Sequence, residues 1–234
     1  MVTQDNNYTR MQEAYYQSTA EEMNLGDHKH HNNNPDYWEL LLGMIKSNPE
    51  KWKDMKALDF GCGTGRNMEN LLKLAQWNRV DGVDISEKIL GFADTRLAGL
   101  GYKKDENYKL FKSTGIDAGS ITEWYDFIMS TIVFQHIAVH EIRFNILKEL
   151  SLRMNHKGIL SLQMGFGDTQ GAVGYFDNYY EAKETNSKCD VKIVDFESEL
   201  RADLSAVGFK NIKHKITKSF SDRHSDWIFV TASK

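Results

Sequence analysis

The chain has 234 residues and a mass of 26.9 kDa, enough for one domain with a sizeable core. Hydrophobic residues make up 41% and charged residues 26%, an ordinary balance for a soluble globular protein. The net charge of -4 and sequence pI near 6.1 argue against a general nucleic-acid binder, whose footprint would be basic, and leave open only a local basic patch.

The expected elements begin with a helix over residues 8–23, where Tyr8, Met11, Tyr15, Thr19 and Met23 recur at steps of three and four. The polar stretch "NLGDHKHHNNNPD" reads as a loop, and "YWELLLGMIK" as a second helix closed by "SNPEKW". The pattern then changes. "KALDFG" is a short strand, "RNMENLLKLAQ" a helix with Met68, Leu71, Leu72 and Ala75 on one face, and "RVDGVDIS" a second strand ending in Asp84. "EKILGFADTRLAGLG" is a helix stopped at Gly101, "NYKLFKS" a third strand and "YDFIMSTIVF" a long apolar fourth. "VHEIRFNILKELSLRMNHKG" has a helical rhythm closed by Gly158, and "GILSLQMGF" is a fifth strand. Residues 167–190 fit neither period. After them come a helix, "DFESELRADLSAVGF", and two strands, "KNIKHKIT" and "DWIFVTAS", too close for the crossover a parallel pair needs and therefore antiparallel.

Strands alternating with helices indicate an α/β fold: an open, doubly wound, Rossmann-like sheet, mostly parallel with an antiparallel closing strand and helices on both faces. Residues 1–53 are expected to form an N-terminal helical cap. Residues 54–234 form the core, with an insertion at 167–190 serving as a substrate lid. Two cysteines, Cys62 and Cys189, are too few for a disulfide framework. The polar start "MVTQDNNYTRMQEAYY" has no signal-peptide core, and no apolar run approaches the ~20 residues that span a bilayer. The expectation is a cytoplasmic protein with no membrane partner.

The most informative stretch is "ALDFGCGTGRN". Its glycines, Gly61, Gly63 and Gly65, follow the first strand directly, where glycine permits positive φ and lets a ligand lie against the backbone. In open α/β sheets that is where ligands bind. The spacing G-x-G-x-G departs from the dinucleotide fingerprint G-x-G-x-x-G, which disfavours a nicotinamide dehydrogenase. Asp59 precedes the loop, and Asp84 ends the next strand, where an acid can accept two hydrogen bonds from a ribose diol, each contributing about 1.5–3 kcal/mol.

At these residues the chain resembles the class I S-adenosylmethionine-dependent methyltransferases. "LDFGCGTG" is similar to that family's first motif and "VDGVDIS" to its second-strand acidic motif; "STGIDAGS", "YDFIMSTIVFQHI" and "GILSL" follow in the family's order. The resemblance implies S-adenosyl-L-methionine as cofactor. It places Asp59 and the loop glycines at the amino-acid end, Asp84 on the ribose hydroxyls and Ile85 on the adenine. Asp117 would meet the adenine amino group with Ala118 giving a backbone contact, and Ser130 and Thr131 would lie beneath the methionine portion. Gln135 and His136 would stand at the rim facing the methyl. His136 is either a general base or a positioning residue. Cys62 matches a small residue common at its place and reads as packing.

The reaction implied is an in-line displacement on the cofactor's methyl. The fourth strand ends in "STIV", not the Asp/Asn-Pro-Pro-aromatic tetrad of base-amino methyltransferases, and no Pro-Cys pair supplies a cytosine-C5 nucleophile. These absences and the acidic balance point to O- or N-methylation of a small-molecule acceptor, with no nucleic-acid partner. Acceptor specificity is expected in residues 1–53 and in the insertion, where Tyr175, Phe176, Tyr179 and Tyr180 suit an aromatic wall. Tyr15 and Tyr16 read as core or lid residues. His28, His30 and His31 with Asp27 and Asp36 match no familiar metal spacing and read as a solvated loop. Two other readings stand: a cofactor-binding protein without transfer, and an aminopropyl transferase, which would need an acidic polyamine channel.

Overall fold

The computed structural model describes residues 7–25, 35–167, 175–176, 190–219 and 225–234. Helix α1 (Asn7–Leu25) and α2 (Pro35–Lys46) precede a 3-10 turn, Pro49–Trp52. Then β1 (Lys56–Phe60), α3 (Arg66–Leu74), β2 (Arg79–Asp84), α4 (Glu87–Gly99), β3 (Leu110–Lys112) and β4 (Tyr125–Thr131) follow in alternation. After a 3-10 turn, Phe134–His136, come α5 (His140–Leu152), β5 (Met154–Phe166), β6 (Tyr175–Phe176) and β7 (Asp190–Ile193). A π-helical turn, Glu197–Arg201, runs into α6 (Ala202–Ala206), and β8 (Lys210–Lys218) and β9 (Asp226–Ser233) close the chain.

The strand order is β3-β2-β1-β4-β5-β7-β6, with β9 on β5 and β8 on β9. β1, β2 and β4 are buried along nearly their whole length, as parallel strands covered on both faces must be. β8 and β9 are antiparallel, and β9 runs antiparallel to β5, as expected for the closing strands. β4 lines one edge of β5 as far as the pair Thr131↔Gln163, while β9 takes the other from Ile159 to Phe166. Gly165 and Phe166 pair with β7 as well as β9, so β7 continues the edge that β4 leaves.

Each face of the sheet has its own apolar cluster. On one, Tyr37, Leu41, Leu42 and Ile45 of α2 and Met68 and Leu71 of α3 cover Ala57, Phe127 and Met129. On the other, Ile142, Ile146 and Leu150 of α5 and Leu200 and Leu204 cover Leu58, Ile128, Leu160 and Leu162. α1 docks at the carboxyl end of the strands. Gln17 Oε1 accepts from Ser86 Oγ (2.8 Å) and Lys88 N (3.1 Å) at the start of α4, and Glu13 pairs with Lys112 at 2.6 Å. The buried residues of α1 are Tyr8, Thr9, Gln12 and Ala20; of the apolar stripe expected there only Tyr8 is among them, the rest being half-buried.

Four expectations are corrected. The fourth strand stops at Thr131, because Ile132 takes a positive φ of 58° and turns the chain. α5 ends at Leu152, not at Gly158: Arg153 N–H closes it onto Glu149, Leu150 and Ser151, and β5 has begun by Met154. Gly158 lies within β5, where a Cβ would sit 2.5 Å from Met154 Cγ and 2.9 Å from Asn155 O. β7 was not expected, and the helix after it begins as a π turn.

Candidate functional site

The glycine loop is fixed by the strands beside it. Gly61 N and Cys62 N donate to Val83 O at 2.8 and 2.9 Å, which folds the loop back over β2. All three glycines have positive φ, 74°, 52° and 81°. They are bare for different reasons. A Cβ on Gly61 would lie 2.2 Å from Val133 Cγ2, and one on Gly65 would lie 3.1 Å from the Ala93 Cβ of α4, whereas one on Gly63 would meet nothing within 4 Å. Two glycines accommodate the protein, and the middle one faces open space.

That space is a cavity beyond the carboxyl ends of β1, β2 and β4, at the point where strand order reverses. Gly61, Gly63, Asp84 and Ile85 line its floor; Tyr8, Gln12, Tyr16 and Met23 of α1 line it from across. Asp84 accepts from Gly63 N through Oδ2 and from Ser86 N through Oδ1, both at 3.0 Å. Burial raises its carboxyl to about 6, against the lowering effect of the Ser86, Gly63 and Ile85 amides.

Asp59 lies beneath this floor and does not itself line the cavity. It is fully buried, and neither carboxylate oxygen has a hydrogen-bond partner at normal geometry. Burial raises its carboxyl to about 7; the Arg66 charge and the nearby Asn67 side chain oppose this, while the Asp84 charge adds to it. Arg66 and Asn67 do line the cavity. Asn67 Nδ2 donates to Thr131 Oγ1 at 3.0 Å, and the buried Tyr37 phenol, held protonated by burial, also hydrogen-bonds Thr131. The result is a buried acid with an amide, a guanidinium and a phenol around it, built from β1, α3, β4 and α2.

Of the other residues singled out by sequence, Cys62, Thr131 and His136 line the cavity. Cys62 is 4% exposed, and burial pushes its thiol well above the usual range. Gln135 is buried within the 3-10 turn. Ser130 donates to Phe60 O at 2.8 Å and joins β4 to β1. Asp117 Oδ1 accepts from Thr114 N (3.1 Å) and Gly119 N (2.9 Å), and Ala118 N donates to Glu149 Oε2 at 2.9 Å. These three stand off the cavity wall, which Ser113 and Gly115 form instead. Tyr16 faces the cavity, with Tyr15 edge-on to it at 5.2 Å. His28, His30, His31 and Asp27 lie outside the described residues, as does the insertion at 167–190 except for Gly167 and the strands β6 and β7.

Sequence reasoning assigned no site role to Tyr37, Arg66, Asn67, Tyr8 or Gln12, and placed Tyr8 only on a helix stripe. Arg66 and Asn67 sit at the end of the glycine motif and were read only as a helix start. Tyr8, Gln12 and Tyr16 recur at i, i+4 and i+8, but polar Gln12 hides the row from an apolar count.

Residues 58–160 match a protein-family model described as a methyltransferase domain. Among curated proteins, the chain is 29% identical over 115 residues to a malonyl-[acyl-carrier protein] O-methyltransferase of Bacillus cereus, covering 48% of this chain and 39% of that protein. It is 32% identical over 98 residues to a ubiquinone biosynthesis O-methyltransferase of Sinorhizobium fredii, covering 42% and 37% respectively. The matched stretches therefore span less than two fifths of those relatives' own lengths. The fold is shared with the N-methyltransferase NodS of Bradyrhizobium japonicum in complex with S-adenosyl-l-homocysteine, at a TM-score of 0.65 and 13% identity over 93% of this chain and 97% of that one. No described helix is long and apolar enough to cross a membrane. Over residues 58–160, then, this chain is similar to the methyltransferase-domain family.

Proposed function

We propose that the chain is an S-adenosylmethionine-dependent methyltransferase acting on a small-molecule oxygen or nitrogen acceptor. The observation that carries this reading is the cavity itself. An open glycine face at Gly63, a two-oxygen acceptor at Asp84 and apolar walls at Ile85 and Val133 meet above a buried, unpartnered carboxylate at Asp59. A buried carboxylate that accepts no hydrogen bond at normal geometry is costly to ionise, and a cationic ligand group nearby offsets that cost. The residues present thus fit a cationic amino-acid nucleoside: Asp84 holds the ribose hydroxyls, Ile85 packs on the base, and Asp59, with Asn67 and the loop amides, faces the ammonium end.

When bound, the cofactor's sulfonium supplies an electrophilic methyl. The chain's part is to orient, to exclude water and to handle one proton. α1 closes the cavity opposite the glycine loop and acts as its cap. Val133 packs over Gly61 and narrows the approach. His136, at the wall, takes the acceptor's proton or orients the acceptor. Acceptor choice belongs to the cap and to the insertion at 167–190. The O-methyltransferase relatives favour a hydroxyl or carboxyl acceptor.

The test is a screen of metabolites with unlabelled S-adenosylmethionine, read as a mass gain of one CH2 unit, about 14 daltons, per transfer. An acceptor that gains one methyl supports the reading; tight cofactor binding with no transfer to any metabolite favours a binding protein. For His136→Ala, a single-turnover rate equal to wild type with the identified acceptor would remove it from proton transfer.

A further inference from the structure

We infer that Gln163, at the carboxyl end of β5, is a positioning residue that holds the turn after β4 in the shape that brings Val133 and His136 to the cavity; this rests on the methyltransferase reading of that cavity. The starting observation is Ile132, which has φ 58°. A β-branched side chain in the left-handed region is strained, and such a conformation persists only where its surroundings over-determine it. Here Ile132 N donates to Gln163 Oε1 at 3.0 Å. Thr131↔Gln163 is the last pair of the β4–β5 ladder, so the side-chain amide takes over where the backbone ladder stops.

The amide is kept at a cost. Gln163 is fully buried, and its Nε2 has no hydrogen-bond partner. An apolar residue there would bury no unpaired amide N–H of its own but would strip Ile132 N–H of its acceptor, so the glutamine is explained by what its oxygen does. Turning the amide over would set N–H against N–H and orphan the Ile132 donor as well. The left-handed step at Ile132 places Val133 against Gly61, and the 3-10 turn that follows closes with His136 N on Val133 O at 2.9 Å. The far end of the turn is held by other elements. Tyr8 Oη donates to His136 O (3.2 Å) and accepts from Ala138 N (2.8 Å), and the Arg143 guanidinium donates to Ile137 O. Gln163 thus secures the entry of a segment whose exit α1 and α5 secure.

The experiment is a double-variant cycle with Gln163→Met and Ile132→Gly. Amide hydrogen exchange at residues 133–137, S-adenosylhomocysteine affinity by calorimetry, and the methyl-transfer rate are measured on each protein. Gln163→Met is expected to speed exchange in that segment about tenfold. It should lower kcat by about tenfold while changing S-adenosylhomocysteine affinity less than about threefold. Glycine at 132 takes the left-handed conformation without strain, so adding Gln163→Met to Ile132→Gly should cost less than it does in the wild-type background, the residue-132 amide alone losing its acceptor. Wild-type exchange in Gln163→Met, or losses that multiply in the double variant, would overturn the inference. Should Gln163→Met not fold, Gln163→Glu, which keeps an acceptor oxygen, and the double variant carry the test: folded proteins with protected amides support the inference, and an unfolded double variant overturns it. Wild-type protein that binds no S-adenosylhomocysteine would instead refute the proposed function and leave the exchange comparison standing.

Discussion

Asp59 and Asp84 are two carboxylates of one site with different work to do. Asp84 is already satisfied by the Gly63 and Ser86 amides, so its remaining acceptor capacity is aimed and pre-organised. Asp84→Ala should weaken S-adenosylmethionine binding tenfold or more, from loss of about 1.5–3 kcal/mol per charged hydrogen bond; an unchanged calorimetric affinity would refute the ribose assignment. Asp59 behaves differently. Its carboxyl sits at about 7 in the folded chain against an ordinary 3.8. Between those values the folded chain keeps a proton that the unfolded chain has lost, so stability falls as pH rises through the window and the loss is complete above it. Asp59→Asn should therefore raise the melting temperature of the ligand-free protein at pH 8, and weaken cofactor binding there by about tenfold. A variant that melts lower at pH 8 would contradict this account of Asp59. In the proposed function, Asp59 is a residue kept for cofactor binding at the expense of stability.

Among the elements, those whose signals are local were legible in the sequence. β1, the glycine loop and β2 follow one another within one stretch, and their apolar runs, loop glycines and terminal acid can be read without knowing the rest of the chain. Elements set by distant partners were not. Gly158 looks like a helix stop, but it is bare because Met154 and Asn155 crowd it inside β5, where the pairing with β4 shifts register. β7 is four residues with the buried Lys192 among them, and only the free upper edge of β5 makes it a strand. α1 belongs to the site through one residue above all. The Tyr8 hydroxyl serves His136 O and Ala138 N, groups 128 and 130 positions away, so no local pattern announces it. Tyr8→Phe orphans a buried amide and should cost about 1–3 kcal/mol in denaturant unfolding; a change too small to resolve would mean that α1 is held by its contacts with α4 and β3.

Across the whole molecule the sheet separates stability from binding. Toward the amino ends of the strands, fully buried Asp81 accepts from Arg79 Nε (2.8 Å), Tyr125 Oη (2.9 Å) and Lys109 N (2.8 Å), and Arg79 also pairs with Glu123 at 3.1 Å. At the carboxyl ends lie the unpartnered Asp59 and the open face of Gly63. Asp81→Ala leaves the buried Arg79 guanidinium with Glu123 alone and removes the acceptor of Tyr125 and Lys109 N–H, and should destabilise the fold by about 3 kcal/mol without altering cofactor affinity in the folded protein. A matching loss of affinity would show that the two ends are not independent. The mostly parallel, doubly wound sheet with its antiparallel closing strand followed from the alternation of elements, whereas the grouping of Tyr37, Asn67 and Gln163 around the turn after Thr131 required the fold, since α2, α3, β4 and β5 meet only in three dimensions. The most direct measurement is a crystal structure with S-adenosylhomocysteine. The account expects the nucleoside on the Gly61–Gly65 loop, its ribose hydroxyls on Asp84 and its ammonium end toward Asp59. A nucleoside bound elsewhere, or a loop without it at saturating concentration, would contradict the account.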